Sequence, residues 1–505
     1  MSKKVLDINE LKSKYVDGNA TAITKQHALG KKTARERIAA LFDAGSFIEI
    51  GLFANSRLEN VDAPCDGVIT GYGQIDGRLV FAVVDDYTVL GGSMAEIHAK
   101  KIVKCQEEAM KVGAPIIYAI DSDGVRLDEG IDALSQYGKV LYNNTLASGV
   151  IPQISIILGK CVGALTYCPA LSDFVFVVDK VSKMFVTGPE VLSLVSEKNI
   201  SADDIGSALT HSTLSGVAHI HSANEDECML SVRRLISFLP QNNLEKPEIL
   251  ECNDDLNRLC DNLNGIATDK DLDMKNVILS IVDNNDFYEI QAEYATNVII
   301  GFARLGGRVI GIVANQAVNS NGSININASD KMARFIGICD SFNIPILTLE
   351  DAASFIQSED EEKKGLIRHF AKVLYAYSEA TVPLITVIVN RAYGSAYIGM
   401  CSKYIGADYV YAWPTSKIGI MSPESAVSIL YEKEIKSSSD PVKTSEEKIA
   451  EYLDTTMNPI KAASRGYIDD IIEPSNMRKI LISSFDVLST KAINKKNKKH
   501  GNMPV

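Results

Sequence analysis

The fold is decided by Gly71-Tyr72-Gly73-Gln74-Ile75-Asp76-Gly77-Arg78-Leu79-Val80-Phe81-Ala82-Val83-Val84, because much of this stretch returns later in the same chain. Gly71-Tyr72 and Gly77-Arg78 recur 230 residues on, as Gly301-Phe302 and Gly307-Arg308. The apolar residues after Arg78 are matched by a similar apolar run after Arg308. A period this long is typical of tandem domains and not of a solenoid. The stretch therefore predicts two copies of one folding unit.

The repeat continues beyond this stretch with a nearly constant offset. Four further marks recur: Pro115 as Pro345, Asp121 as Asp351, Pro152 as Pro383 and Gly163 as Gly394. Between the marks, buried apolar strands alternate with longer helical patterns, such as a helix over 94–112 that Gly113 ends as C-cap. This alternation predicts the α/β class, with a parallel sheet and crossover helices in each half.

Length and composition limit the domain count and the class of partner. A chain of 505 residues suggests about two to four domains, and the repeat selects two. The stretch 239–275 is rich in Asn, Asp and Pro, so we place a first domain at 1–245 and a second at 246–505. With 46% hydrophobic residues and a net charge of −13, the chain resembles a soluble globular protein that binds neither nucleic acid nor anionic membranes.

Several common site motifs are missing from the sequence. The nine cysteines form no C-x-x-C pair and have no metal-ligand spacing, which predicts reduced thiols and no metal in this chain. No dinucleotide fingerprint, phosphate-binding loop, zinc helix or nucleophile elbow occurs. The sequence around Lys111 is close to a biotin attachment site, but this lysine ends an amphipathic helix, so we expect no modification. The N-terminus has no apolar leader, which predicts a cytoplasmic protein.

The remaining chemistry is assigned to backbone amides, which stabilise a developing oxyanion without a reactive side chain. Such amides need loops where a carbonyl group can approach the main chain, and glycine permits this approach. Each half has one such loop after an apolar strand, at 159–164 and at 392–397. The alternative, that these glycines only make tight strand-to-helix turns, stays open from their spacing.

Motifs spread along most of the chain carry a further signal. They are Gly30-Lys31-Lys32-Thr33-Ala34-Arg35-Glu36-Arg37-Ile38, Ala147-Ser148-Gly149-Val150-Ile151-Pro152, Phe185-Val186-Thr187-Gly188-Pro189, Ser215-Gly216-Val217-Ala218-His219, Ile367-Arg368-His369, Glu379-Ala380-Thr381-Val382-Pro383, Tyr411-Ala412-Trp413-Pro414 and Lys499-His500-Gly501-Asn502. Together these motifs resemble one family, the carboxyltransferase subunits of biotin-dependent acyl-CoA carboxylases and decarboxylases. The resemblance is greatest to the methylmalonyl-CoA decarboxylase and propionyl-CoA carboxylase branches.

The resemblance implies an architecture and a set of partners. It implies two tandem crotonase-like domains, of which the first binds acyl-CoA and the second binds biotin carried by a separate carrier protein. It also implies a homohexamer built as a trimer of dimers, with each site between the first half of one subunit and the second half of its partner. Biotin carboxylase or membrane decarboxylase subunits are the further partners that such a complex would contain.

The resemblance also implies roles for individual residues. Gly163 and the amide of Ala164 match the pair that holds the thioester oxyanion, and Ser395 and the amide of Ala396 match the pair that holds the biotin carbonyl. The further matches are Gly394, Tyr397 and Ile398 on the biotin side or acyl pocket, and Ser122, Gly124 and Arg126 on the substrate side. The cations of 31–37 suit CoA phosphates, although a solvated basic face is the alternative. These cations are Lys31, Lys32, Arg35 and Arg37.

The chain departs from the family pattern where the family is rich in glycine. The usual Gly-Gly of the two loops is Gly163-Ala164 and Gly394-Ser395 here, and an added Cβ at a positive φ would cost about 1–2 kcal/mol. The sequence therefore predicts a carboxyltransferase that moves a carboxyl group between biotin and the α-carbon of a short acyl-CoA. Two alternatives stay open: a catalytically weakened structural or regulatory paralogue, and a crotonase-like enzyme that does not use biotin.

Overall fold

A computed structural model describes residues 7–58, 61–269, 272–493, 495 and 498–504. The chain divides into two compact units, which we call unit 1 (Met1–Glu245) and unit 2 (Lys246–Val505). Each unit is built around one large mixed sheet flanked by helices.

Unit 1 contains nine strands and nine α-helices among its described residues. The strands are β1 Ile48–Ile50, β2 Val68–Ile75, β3 Arg78–Asp85, β4 Ile116–Ile120, β5 Gln153–Ile157, β6 Lys160–Val162, β7 Phe174–Val178, β8 Lys183–Phe185 and β9 Ile220–Ser222. The helices are α1 Ile8–Asp17, α2 Ala20–Ala28, α3 Ala34–Leu41, α4 Glu96–Val112, α5 Ile131–Ala147, α6 Tyr167–Leu171, α7 Pro189–Ser196, α8 Ala202–Gly206 and α9 Glu225–Phe238. The predicted helix over 94–112 is α4, and Gly113 ends it in the left-handed conformation.

Unit 2 contains eight strands and eleven α-helices in the part of the chain that is described. The strands are β10 Phe287–Ile290, β11 Val298–Leu305, β12 Arg308–Asn315, β13 Ile346–Ala352, β14 Leu384–Tyr393, β15 Tyr409–Ala412, β16 Lys417–Gly419 and β17 Asp470–Ile471. The helices are α10 Asn262–Ile266, α11 Met274–Ile281, α12 Ile326–Ser341, α13 Glu359–Lys364, α14 Leu366–Glu379, α15 Gly394–Gly399, α16 Pro423–Leu430, α17 Glu432–Ser437, α18 Pro441–Thr455, α19 Pro459–Ser464 and α20 Met477–Val487.

The two large sheets have corresponding strand orders. In unit 1 the order is β1-β2-β3-β4-β5-β7-β9, and in unit 2 it is β10-β11-β12-β13-β14-β15-β17, with β16 also pairing with β14. The strands from β3 to β9 and from β12 to β17 pair in parallel, as the sequence predicts. The first three strands of each sheet are antiparallel instead, because a two-residue hairpin such as Asp76-Gly77 can join only antiparallel strands.

The repeated glycines have matching structural reasons in the two units. A Cβ at Gly71 would collide with the carbonyl oxygen of Ile48 on the edge strand, and a Cβ at Gly301 would collide with that of Tyr288. Gly77 and Gly307 both have a φ of 77°, a conformation that an L side chain rarely adopts. The repeat in sequence therefore marks two hairpins with the same backbone geometry.

A buried lysine also recurs at the offset of 230. Lys331 donates from Nζ to the carbonyl oxygens of Gln291, Tyr294 and Val298 at 2.9, 2.7 and 2.7 Å, and burial lowers the pKa of Lys331 to about 7. The corresponding Lys101 donates to the carbonyl oxygens at positions 65 and 68. Each lysine ties the loop before the second strand of its sheet to the first long helix.

Candidate active site

The first glycine loop of the sequence, 159–164, contains the short strand β6 of unit 1 and ends in a helical turn. A short 3₁₀ segment, Gly163–Thr166, begins directly after that strand, and the hydroxyl of Thr166 donates to the carbonyl oxygen of Gly163 at 2.7 Å. Gly163 has a φ of 64°, whereas the φ of Ala164 is not positive. Amides in the first turn of a helical segment have no acceptor within that segment, so Gly163 and Ala164 present N–H groups that a ligand can use.

The second glycine loop has the same construction in unit 2. The strand β14 ends at Tyr393, and α15 begins at Gly394, which has a φ of 61°. Ser395 is exposed and has no positive φ, while Ala396 is buried. The two loops therefore share a strand, a left-handed glycine and a helical turn whose first amides are available.

The replacements of glycine lie beside the strained positions and not on them. The family pattern is changed at Ala164 and Ser395, but the left-handed conformation falls on Gly163 and Gly394, which remain glycine. The cost of about 1–2 kcal/mol that a positive φ would impose on a side chain therefore does not arise at either loop.

Replacing Gly163 by Ala tests the left-handed conformation of the first loop. No atom lies within 4 Å of the added Cβ, so only the backbone conformation opposes the change, and we expect a loss of about 1–2 kcal/mol in the free energy of unfolding. Gly138→Ala is the matched control, because it also meets open space but lies within α5, where alanine is favoured by about 0.5–1 kcal/mol. Urea unfolding of both variants measures the difference; equal effects would contradict the assigned conformation.

The second loop borders a cavity of about 680 Å³ in unit 2. Four residues that the sequence predicts, Gly394, Ser395, Tyr397 and Ile398, line this cavity, and Ala396 lies buried behind them. The other lining residues are Ile418, Gly419, Ile420, Tyr452, Thr456, Asn458, Lys461, Ala462, Arg465 and Tyr467. The cavity thus has an apolar wall, two cationic side chains and the first turn of α15.

Sequence reasoning missed the side of the cavity that α18 and α19 supply. The charged segment 432–448 predicts a surface excursion, and its residues form α17 and most of α18, with no buried side chain in either helix. One signal was available further on: Asn458 before Pro459 is a helix start, and Lys461 and Arg465 are four residues apart on one face. Asn458 does cap α19, accepting a hydrogen bond from the amide of Lys461 at 3.0 Å.

A buried cluster of charges supports the first loop from below. Asp121, at the end of β4, accepts hydrogen bonds from Lys31 Nζ at 2.8 Å, from Gln26 Nε2 at 3.0 Å and from Arg37 Nη1 at 3.1 Å. A Cβ at Gly159 would collide with the carboxylate of Asp121. The glycine at the start of the loop 159–164 therefore leaves room for this carboxylate.

Arg37 connects this cluster to α9. Its guanidinium is 1% exposed and binds Glu225 with two bonds, from Nε at 3.0 Å and from Nη2 at 2.9 Å. Burial opposes the charge, but the hydrogen bonds to Glu225 and the negative charge of Asp121 outweigh this cost and raise the pKa of Arg37. The guanidinium is thus fully engaged inside unit 1.

The four cations that the sequence groups as phosphate contacts differ in burial. Lys31 and Arg37 are buried in ion pairs with Asp121, so a phosphate could reach them only by displacing that carboxylate. Arg35 and Lys32 are about one-third exposed, at 29% and 34% of their side chains. They pair with Glu49 at 2.9 Å and with Asp226 at 3.0 Å. Lys32 and Arg35 are the members of the group that a phosphate can approach.

The predicted substrate-side residues of the segment 121–126 are also engaged within unit 1. The side chain of Ser122 is buried, and its hydroxyl donates to the carbonyl oxygen of Gly92 at 2.7 Å. Arg126 is 5% exposed and donates from Nη1 to Asp66 at 2.6 Å. Gly124 has a φ of 91° and packs against Val162. These residues shape the base of the first loop, and the side chains of Ser122 and Arg126 are held by hydrogen bonds within unit 1.

Among the described residues, no group of three or more His, Cys, Asp and Glu side chains is placed to hold a metal ion. None of the described helices combines the length and the apolar character that crossing a bilayer requires.

The family of the chain follows from a comparison with protein-family models. The model described as carboxyl transferase domain matches residues 25–503. The chain belongs to the carboxyl transferase domain family. The resemblance that the sequence motifs carry is thereby confirmed, and this family of biotin-dependent carboxyltransferases uses a CoA thioester and a biotin that another protein carries.

The chain is similar to subunits of a CoA-ester decarboxylase and of a CoA-ester carboxylase. The chain is 47% identical to methylmalonyl-CoA decarboxylase subunit alpha of Propionigenium modestum, over 100% of the chain and 99% of the relative. It is 46% identical to the carboxyltransferase subunit of propionyl-CoA carboxylase of Haloferax mediterranei, over 99% of both chains.

Two solved structures support the fold. Transcarboxylase 12S, described as a hexamer assembly with methylmalonyl-CoA and methylmalonic acid bound, has a TM-score of 0.95 and 43% identity over 99% of this chain and 97% of that chain. A single-chain, multi-domain long-chain acyl-CoA carboxylase has a TM-score of 0.82 at 22% identity, over 95% of this chain and 50% of that one, and shows the fold alone. The predicted class, α/β with two crotonase-like domains, is confirmed.

Proposed function

We propose that the chain moves a carboxyl group between biotin on a carrier protein and the α-carbon of propionyl-CoA or methylmalonyl-CoA. The observation that carries this proposal is the pair of equivalent loops, one in each unit, with Gly163 and Gly394 in the left-handed conformation. The relatives and the solved structure named above act on or bind acyl-CoA esters of this type, which supports the choice of substrate.

In unit 1 the proposed role of the first loop is to bind the thioester. The N–H groups of Gly163 and Ala164 donate to the thioester oxygen, on which negative charge develops when the α-carbon loses its carboxyl group or a proton. Amides fixed in position stabilise this charge without reorganising during the reaction. Lys32 and Arg35 supply positive charge for the CoA phosphates, because part of each side chain stays exposed to solvent. The buried ion pairs of Asp121 hold the loop from below.

In unit 2 the cavity is suited to the fused rings of biotin. Its volume of about 680 Å³ is within the range of small-ligand sites, and apolar side chains line it beside the helical turn. We propose that the amides of Ser395 and Ala396 donate to the ureido oxygen and that Gly394, Tyr397 and Ile398 form the wall. Biotin supplies the nitrogen that carries the carboxyl group. The chain binds and orients biotin, and it excludes water from the cavity.

The partners follow from the same proposal. The chain would bind acyl-CoA and a biotin carboxyl carrier protein, and it would assemble as a homohexamer, in line with the hexamer described for transcarboxylase 12S. Biotin carboxylase or membrane decarboxylase subunits and a cytoplasmic location stay predictions. Retention of glycine at both left-handed positions argues against a weakened paralogue.

A single-turnover exchange tests the proposed function. The purified protein is mixed with methylmalonyl-CoA or malonyl-CoA and with free biotin or a biotinylated carrier, and the loss of the carboxyl group is followed by mass spectrometry. We expect turnover that requires biotin and is faster with methylmalonyl-CoA. Tight binding of the CoA ester without turnover would contradict the proposal and favour a subunit that has kept its pocket and lost its chemistry.

A further inference from the structure

Glu350 is a fully buried acid that the proposed reaction does not use. It lies on β13 and is 0% exposed, and neither carboxyl oxygen has a hydrogen-bond partner within the described residues. Its strand neighbours Leu347 and Leu349 pack into the apolar core of unit 2. Side chains alternate along a strand, so Glu350 shares the opposite face with Thr348, whose hydroxyl lies 2.8 Å from that of Tyr377 on α14. Glu350 thus lies on the face of the sheet that α14 covers.

Tyr397 on α15 carries a second buried polar group without a hydrogen-bond partner among the described residues. It belongs to α15 and lines the cavity, but its hydroxyl oxygen is buried and lacks a partner in the described part of the chain. Burial is the main cause that raises the pKa of Tyr397 to about 12, and the carboxyl group of Glu350 is the next. The helix α15 packs against β13, so the buried hydroxyl of Tyr397 and the carboxyl group of Glu350 lie on adjoining elements of unit 2.

Within the described residues, the titratable groups that interact electrostatically with Glu350 bring it no positive charge. They are Asp351 on its own strand, Tyr377 on α14, Tyr397 on α15 and Cys401 after α15. The carboxylate of Asp351 is paired with Arg391, whose Nε lies 2.6 Å from it. Burial, and then the like charge of Asp351, raise the pKa of Glu350 well above its usual range.

An un-ionised carboxyl group can do what a carboxylate cannot. It has an O–H donor as well as an acceptor, and a phenol hydroxyl has both as well. A side-chain rotation that joined Glu350 to Tyr397 would satisfy two buried polar groups at once, and leaving such groups unpaired is costly. A carboxylate at the same place would put a negative charge behind the turn whose amides are arranged to stabilise negative charge.

We propose that Glu350 is a positioning residue of the unit 2 cavity, an un-ionised carboxylic acid that holds Tyr397 and through it the turn at Gly394–Gly399. This inference rests on the proposed function, because it takes the cavity to be the biotin site. Ionisation of Glu350 would then weaken the binding of biotin and leave the binding of acyl-CoA unchanged. The role is specific to unit 2, since the corresponding position on β4 is Ile120.

The state of the carboxyl group can be tested without activity. The folded protein keeps the proton of Glu350, whereas the unfolded chain releases it above about pH 4.5, so this residue makes stability fall as the pH rises from that value toward the folded pKa. Glu350→Gln cannot ionise. We expect the folding equilibrium of wild type to fall relative to this variant by about tenfold per pH unit in that window. The exposed Glu362→Gln is the control and should follow wild type.

The positioning role is tested by steady-state kinetics across the same pH range. We expect the KM for biotin to rise with pH in wild type and to stay flat in Glu350→Gln, while the KM for acyl-CoA is unchanged in both. Tyr397→Phe should raise the KM for biotin at all pH values and abolish its dependence on Glu350.

Each contrary outcome overturns a separate part of the inference. Equal pH dependence of stability in wild type and Glu350→Gln would overturn the un-ionised state. Turnover with the same biotin KM profile in both proteins would overturn the positioning role and leave the proposed function intact. Absence of any turnover that requires biotin would overturn the proposed function and the positioning role with it.

Discussion

Arg37→Met is expected to destabilise unit 1 by about 3–5 kcal/mol, because it leaves the carboxylates of Asp121 and Glu225 buried without their shared partner. Methionine has a similar length and an apolar stem, so the change removes charge and hydrogen bonds more than volume. The free energy of unfolding in urea measures the effect, which is large compared with the total stability of a typical domain.

The control for Arg37→Met is Lys32→Met. Lys32 pairs with Asp226, whose side chain is 69% exposed, and the pair is partly solvated, so its loss should change stability by no more than about 0.5–1 kcal/mol. The two variants also separate the roles of these cations. If Arg37 contacted phosphates, Arg37→Met would fold normally and lose affinity for CoA; we expect instead that Lys32→Met shows weaker CoA binding in calorimetry.

The sequence could not predict that Lys31 and Arg37 are buried while Lys32 and Arg35 stay partly exposed. All four cations lie within seven residues, and their spacing gives no sign of which are buried. Burial is decided by Asp121 and Glu225, which are 84 and 188 residues from Arg37 along the chain. A basic cluster in sequence is thus compatible with a phosphate site and with buried ion pairs, and only the fold separates them.

The internal repeat predicted more of the structure than the basic cluster did, because equivalent positions in the two units have the same backbone geometry. Gly71 and Gly301 recur since both are crossed closely by an edge strand, and Gly163 and Gly394 recur since both begin a turn in the left-handed conformation. What the repeat could not supply are the partners that differ between the units. Asp121 pairs with cations from the N-terminal segment, while Asp351 pairs with Arg391 of the neighbouring strand.

The side of the cavity that α18 and α19 supply could not be predicted for a similar reason. Residues of α18 and α19 reach the turn at Gly394–Gly399 only after the chain has run through β15, β16, α16 and α17. No local pattern links Tyr452 or Arg465 to that turn. The turn itself was predictable because its glycine has a counterpart in the other unit.

Gly394→Ala is expected to reduce kcat/KM for biotin-dependent exchange by roughly 10²–10³, the loss that removal of one oxyanion-hole donor causes in other enzymes. The alanine would have to adopt a φ of 61°, and its Cβ would lie 3.0 Å from the carbonyl oxygen of Ile420, a backbone atom that cannot rotate away. Relief of this contact moves the amides of Ser395 and Ala396, and small misplacements of such groups are costly.

Ser395→Gly is the matched control for Gly394→Ala, one residue away in the same turn. Ser395 is exposed and has no positive φ, so its replacement relieves no backbone strain and should change kcat/KM by no more than about twofold. Binding of acyl-CoA, measured by calorimetry, should be the same in both variants, because the substrate is assigned to unit 1. A small effect of Gly394→Ala together with a large gain from Ser395→Gly would show that the serine side chain, and not the left-handed glycine, controls access to the amides. A large effect of Gly394→Ala alone would place the chemistry at the backbone of this turn, where the sequence offers no side chain to perform it.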